Sequence, residues 1–161
     1  MAPARLVGLD LGGTALKAGA ITSDGEVQRE LSVAPHFERG PQGVLDVLAE
    51  TARALGVEDD LGVGVPGLLD RARGVVLTSP NLPGFVDLDV RAGLARRLGL
   101  APERVRIEND ANAAALGEQW LGAGRGVDDL LVITLGTGIG GGLILGGRLI
   151  VGEGLGGEAG H

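Results

Sequence analysis

This 161-residue sequence predicts an α/β fold built on a mixed sheet, followed by the start of a second domain of the same type. Three observations carry that expectation. Three strand-like segments open the chain, helical and strand patterns then alternate, and a fresh apolar strand begins after a glycine-rich break at residues 122–126. Composition agrees. Hydrophobic residues make up 44% of the chain, enough to bury a core. Aromatics are only 2% (Phe37, Phe85 and Trp120), so that core falls to Val, Leu, Ile and Ala.

The elements follow in order. Residues 6–9 form an apolar run closed by Asp10-Leu11-Gly12-Gly13-Thr14. Residues 15–22 and 26–34 alternate around Ser23-Asp24-Gly25, a hairpin turn signal. Gly40-Pro41 opens a helix whose Val44, Leu45, Val47 and Leu48 keep helical spacing as far as Leu55-Gly56. Residues 61–65 read as a buried strand ending at Pro66-Gly67, and residues 68–87 as hairpin and loop around the stiff turn Ser79-Pro80-Asn81-Leu82-Pro83-Gly84. A helix over 89–98, a strand over 105–107 and a helix over 111–121 complete the first unit. Three strands followed by helix, strand, helix, strand, helix is the order of a ribonuclease H-like unit, the nucleotide-handling half of the actin-like ATPase and sugar kinase superfamily. Gly122-Ala123-Gly124-Arg125-Gly126 reads as a flexible hinge. Strand 130–135, a glycine turn and a hairpin over 143–151 start the second unit. The expected domains are therefore residues 1–122 and an incomplete 123–161, which stops within what reads as a loop.

Charge and cysteine content narrow the chemistry. A formal charge of −7 argues against a nucleic-acid or anionic-membrane surface, although a local backbone nest with Mg²⁺ still accommodates a nucleotide. With no cysteine, neither a disulfide nor a thiolate metal site forms within the chain. No signal peptide or membrane-spanning run is readable, and a cytoplasmic protein is the default expectation. The 31 glycines have no collagen-like period and cluster at turns.

Four motifs carry the chemistry. In the Asp10–Thr14 turn, paired glycines bring backbone N–H groups within reach of a phosphate, Thr14 adds a hydroxyl, and Asp10 can hold Mg²⁺ through water. A plain glycine hairpin explains that turn equally well on its own. Residues 136–142 hold five glycines in seven positions, more than a hairpin needs, which points to close backbone contact with something. A dinucleotide-binding turn is disfavoured there because Leu143-Ile144-Leu145 continues as a strand, not a helix. Glu108-Asn109-Asp110-Ala111-Asn112 places Asp110 where strand yields to helix. Capping alone needs one polar residue, so four in five positions favour a site with Asp110 as a general base. Asn81, fixed between two prolines, offers a donor and an acceptor suited to vicinal sugar hydroxyls. Lys17 and Arg148 read as solvated surface cations, and Glu158 and His161 gain meaning only in combination with the other motifs.

Together these segments resemble the ROK family of bacterial sugar kinases, most closely its ATP-dependent glucokinases. The resemblance is carried by Gly8-Leu-Asp-Leu-Gly-Gly-Thr14, Gly62-Val-Gly-Val-Pro-Gly67, the Ser79–Gly84 turn, and the stretch from Glu108 to Glu118. It continues through the glycines of 122–126, Thr134-Leu-Gly-Thr-Gly-Ile-Gly-Gly-Gly142 and Gly157-Glu-Ala-Gly-His161, covering essentially the whole chain. The resemblance implies transfer of the ATP γ-phosphate to the 6-hydroxyl of glucose, with Asp110 as the base and Mg²⁺ as the charge neutraliser. It implies Gly12, Gly13 and Thr14 with Asp10 as one phosphate loop, and Thr137 and Gly138 as part of another. It implies Asn81, Asn109, Glu158, His161 and the Gly67 turn around the sugar, with His161 also a ligand of a structural zinc.

Two departures accompany it. The family's zinc also needs cysteines beyond the histidine, and none is present. Two such domains take on the order of 300 residues, so most of the second domain, the adenine surface and a returning C-terminal helix are expected outside this sequence. Lack of that helix is expected to leave an apolar sheet face exposed and to favour association. The expected partners are a small sugar and ATP, with no nucleic acid and no membrane, and a homo-oligomer for a full-length form. Alternatives within the class are kinases of another hexose or an N-acetylhexosamine, polyphosphate as donor, or an inactive fragment. A sugar-sensing repressor of the same family is disfavoured, because the first strand begins near Arg5 without a preceding helix-turn-helix.

Overall fold

The computed structural model describes residues 5–135 and 138–151. The chain divides into two compact units, Met1–Glu108 and Asn109–His161, taken in turn here. The first begins with strands β1 (Arg5–Leu11), β2 (Leu16–Thr22) and β3 (Val27–Val33), an antiparallel meander. Helix α1 (Gly40–Ala54) leads to β4 (Leu61–Val65), which pairs parallel with β1. A separate three-stranded sheet follows, β5 (Leu68–Asp70), β6 (Val75–Thr78) and β7 (Val86–Asp89). Helix α2 (Val90–Leu98) and strand β8 (Val105–Asn109) complete the main sheet, whose order is β3-β2-β1-β4-β8. One crossover through α1 and another through α2 around a central β1 give the ribonuclease H-like arrangement expected from the element order.

Strand alternation decides which face is packed. Val7, Leu9 and Leu11 of β1, Leu16, Ala18 and Ala20 of β2, and Val63 and Val65 of β4 are buried, as are Val44, Leu45, Val47, Leu48 and Ala52 of α1. All belong to one hydrophobic cluster that also takes in Val105 and Ile107 of β8 and Val90 and Leu94 of α2. Pro41 in the first turn of α1 has its φ preset and no N–H to lose, so it starts the helix without cost. Asp89 caps α2 by accepting from the Ala92 N–H at 2.8 Å.

The opposite face of this sheet carries glycine and charge. Gly8 pairs with Gly19 on β2 and Gly62 on β4, and Asp10 faces Lys17 across the ladder. The result is an open groove of about 600 Å³ lined by Gly8, Asp10, Lys17, Gly19, Glu30 and Ser32 among others.

The second unit consists of α3 (Asp110–Trp120) against the antiparallel sheet β11-β10-β9, formed by β9 (Leu130–Leu135), β10 (Ile139–Leu145) and β11 (Arg148–Ile150). Residues 122–126, read as a flexible hinge, instead form a bonded turn. The Glu118 carbonyl accepts from Gly122 and Gly124, and its carboxylate accepts from the Ala123 N–H at 2.8 Å. In this unit Leu131, Ile133 and Leu135 of β9 and Ile139 and Leu145 of β10 are all exposed. Among the described residues no helix is long and apolar enough to cross a membrane.

Candidate functional site

In the first unit, the turn after β1 closes tightly, the Gly12 N–H donating to the Ala15 carbonyl at 2.9 Å. Gly13 and Thr14 are left exposed at its tip, and Asp10 is exposed just before it. A Cβ built on Gly13 lies 3.8 Å from the Asn81 carbonyl oxygen, so the chain brings the glycine turn and the Asn81 turn together. Exposed backbone with a neighbouring hydroxyl suits a phosphate.

The Asn81 turn is anchored from beneath. Leu82 and Phe85 are buried in the core, whereas Asn81 itself is exposed. Gly67, between β4 and β5, has φ +114°, and a Cβ there would stand 2.4 Å from the Thr78 carbonyl oxygen and 2.9 Å from Ser79 Cβ. Only glycine permits this approach. Gly67 thus acts by seating the segment that carries Asn81. The Ser79 hydroxyl, in a residue 9% exposed, has no hydrogen-bond partner among the described residues. A buried hydroxyl in that state calls for water or a polar ligand.

At the end of β8 the cap falls to Asn109, not Asp110. Its Oδ1 accepts from the Ala111 N–H at 2.9 Å and the Asn112 N–H at 3.2 Å. Asp110 is the first residue of α3, half-buried, with Oδ1 accepting from the Ala111 N–H at 2.9 Å. A carboxylate there is also favoured by the helix N-terminus. Glu108 is held by the Arg71 guanidinium. Neither Arg71 nor Arg91, which bonds beside it, was legible as part of a site, because both lie in or next to a stretch readable only as hairpin and loop.

The second glycine cluster divides. Gly140 and Gly142 lie within β10, paired with Thr134 and Val132 of β9. A Cβ on Gly142 would meet Ala115 Cβ at 2.5 Å, and one on Gly140 would meet Ala111 Cβ at 3.1 Å. Gly142 serves the contact with α3, and a Cβ on Gly140 would also press on Thr134 Oγ1 of β9 at 2.6 Å. Among the described residues, Gly138 has open space where a Cβ would go. Thr137, Glu158 and His161 lie outside the described residues. Gly13 and Thr14, exposed at the tip of their turn, present groups that could meet a phosphate. A thiolate-bound zinc does not fit a chain without cysteine.

Comparison with known proteins places this geometry. The chain is 41% identical to the glucokinase of Thermotoga maritima over 161 residues, 98% of this chain and 50% of that protein. It superposes on a ROK family glucokinase from Streptomyces griseus, solved with glucose and AMPPNP, with a TM-score of 0.86 at 36% identity, covering 98% of this chain and 49% of that one. The ROK hexokinase of Thermus thermophilus gives 0.84 at 44% identity over 98% of this chain and 53% of its own. The chain thus spans about half the length of the relatives it matches. The ROK family model matches residues 6–161, and the chain belongs to the ROK family.

Proposed function

We propose that this chain carries the sugar- and phosphate-handling half of an ATP-dependent hexose kinase, with glucose as the sugar and Asp110 as the general base. The observation that carries the reading is the division of labour at the start of α3. Asn109 supplies the cap, so the neighbouring half-exposed Asp110 carboxylate is not required for it. Asp110 takes the proton from the sugar 6-hydroxyl as that oxygen bonds the γ-phosphorus of ATP and the bond to the β–γ bridging oxygen breaks, releasing ADP. Asn81 and Asn109 orient the sugar through their amides, with Glu158 and His161 as further ligands, and Gly67 seats the Asn81 turn. Gly13 and Thr14 offer N–H and hydroxyl donors to phosphate beside Gly12, whose own N–H is bonded to Ala15, as do Thr137 and Gly138, and Asp10 holds the cation through water. Mg²⁺-ATP, when bound, supplies the phosphoryl group and neutralises the charge on its oxygens. The similarity to a glucokinase solved with glucose and AMPPNP supports both substrate classes.

The test is a coupled assay of sugar 6-phosphate formation by the 161-residue chain with glucose, ATP and Mg²⁺, with polyphosphate replacing ATP in a parallel run. Turnover is expected, with Asp110→Asn lowering kcat by about 10²–10⁴-fold while glucose binding persists. An Asp110→Asn variant as fast as the parent overturns the assignment of the base, and a folded chain that neither turns over nor binds glucose overturns the reading.

A further inference from the structure

Strand β8 is an edge strand: among the described residues it has β4 on one side and no strand on the other. Two arginines bond to its two ends. Arg91, in the first turn of α2, donates from Nε to the Val105 carbonyl at the start of β8 at 3.1 Å. The same guanidinium donates from Nη1 to the Ala72 carbonyl at 2.6 Å and from Nη2 to the Arg71 carbonyl at 2.9 Å, both in the turn between β5 and β6. Its backbone N–H donates to the Gly74 carbonyl at 3.1 Å. Gly74, with φ +73°, is needed for that approach, since a Cβ there would lie 2.4 Å from Arg91 Cβ. Arg71, at the head of the same turn, reaches back to the Glu108 carboxylate at the far end of β8.

We propose that Arg71 and Arg91 act as a two-point clamp that fixes β8 to the β5–β6 hairpin, and that Arg71 is thereby a positioning residue for Asn109 and Asp110. This rests on the kinase reading for the roles of Asn109 and Asp110, though not for the clamp itself. Three features argue that the pair does more than decorate the surface. The Glu108 side chain is 16% exposed, whereas surface pairs that contribute little are solvated on both sides. The Arg71 main chain is itself pinned by Arg91, so its guanidinium works from a fixed base. And the hairpin that holds Glu108 continues through β6 into Ser79 and Asn81. Displacement of a reacting group by about 1 Å costs on the order of 10²-fold in rate.

The experiment follows the cap. In the 161-residue chain, hydrogen exchange at the Ala111 and Asn112 amides, the donors to Asn109, is measured by NMR for Arg71→Ala, Arg71→Lys, Glu108→Gln and the exchanged pair Arg71→Glu/Glu108→Arg. Exchange at those two amides is expected to rise by about tenfold in Arg71→Ala, with the far-ultraviolet circular dichroism unchanged. Arg71→Lys and the exchanged pair should recover most of the protection. Glu108→Gln keeps the shape of the side chain and removes its charge, and serves if Arg71→Ala fails to fold. In the turnover assay the same change should lower kcat by about tenfold, about 1.4 kcal/mol, with the glucose KM within about twofold. Unchanged exchange in Arg71→Ala overturns the clamp. So does equal damage from Arg71→Lys and Arg71→Ala with melting temperature falling in step, which would make the pair a contributor to stability alone. The amide measurement needs no turnover, so the clamp and the kinase reading fail separately.

Discussion

Asn109 is asked to do two things, and substitution can separate them. Its Oδ1 caps α3, and its amide N–H₂ is the group that a sugar hydroxyl would use. Asn109→Ala removes both and should destabilise the chain by about 1 kcal/mol, the usual value of a lost cap. Asn109→Asp keeps a capping oxygen but loses the donor. It should melt with the parent while binding glucose more weakly, as thermal unfolding and glucose titration would read. Equal affinity in Asn109→Asp would exclude the amide donor as a sugar ligand. Gly67 is a second case. A side chain at φ +114° is strained, and this one would also collide with the Thr78 carbonyl. Gly67→Ala should therefore cost about 1–3 kcal/mol and weaken glucose binding by disturbing Asn81. Urea midpoints with and without glucose check both.

Between elements, the glycine-rich segment after β9 holds two kinds of glycine. Gly142 serves the close packing of β10 on α3, so Gly142→Val should cost about 1–3 kcal/mol in urea denaturation. Gly138 has room for a methyl, so Gly138→Ala should leave that midpoint within about 0.5 kcal/mol. If it approaches phosphate, nucleotide affinity alone should fall. Composition could not separate the two kinds. Five glycines in seven positions announce close contact with something, and only the register of β10 on β9 and the seat of Ala111 and Ala115 on α3 show that the neighbour is the protein itself. The strand and helix order of the first unit was readable because Leu, Val and Ala recur at period 2 in β1, β2 and β4 and at helical spacing in α1, and one core absorbs both patterns. The clamp on β8 was not readable. Arg71, Arg91 and Glu108 are 37 residues apart at their extremes, in a turn, a helix and a strand, and exposed charges on separate elements carry no shared periodicity to report a long-range pair. The same applies to the cap: four polar residues around Asp110 marked a site, but which of them bonds the helix depends on backbone geometry at a single junction.

For the whole molecule, the argument turns on where apolar surface remains. On the main sheet of the first unit, the groove beside β1 mixes Asp10, Lys17 and Glu30 with Leu9, Ala18 and Leu31. The second unit differs. Leu131 and Ile133 are 56% exposed, Leu135 81% and Ile139 62%, all from adjacent β9 and β10. Strand β9 is also an edge among the described residues, and its six residues, Leu-Leu-Val-Ile-Thr-Leu, include no charge and no proline. Edges are normally protected by one or the other, and an unprotected apolar edge is a template for pairing. A net charge of −7 opposes association only at low ionic strength, where screening is weak. The 161-residue chain should therefore self-associate reversibly in the micromolar range at physiological salt, and more tightly as salt rises, as sedimentation velocity would show. Leu131→Lys combined with Ile133→Lys should return it to a monomer with unchanged circular dichroism. Val27→Lys, at a residue 55% exposed on β3 of the other unit, should leave association as it was. A chain monomeric at about 100 µM in physiological salt would show that this face is not sticky. Loss of association in Val27→Lys would place the contact on the first unit instead.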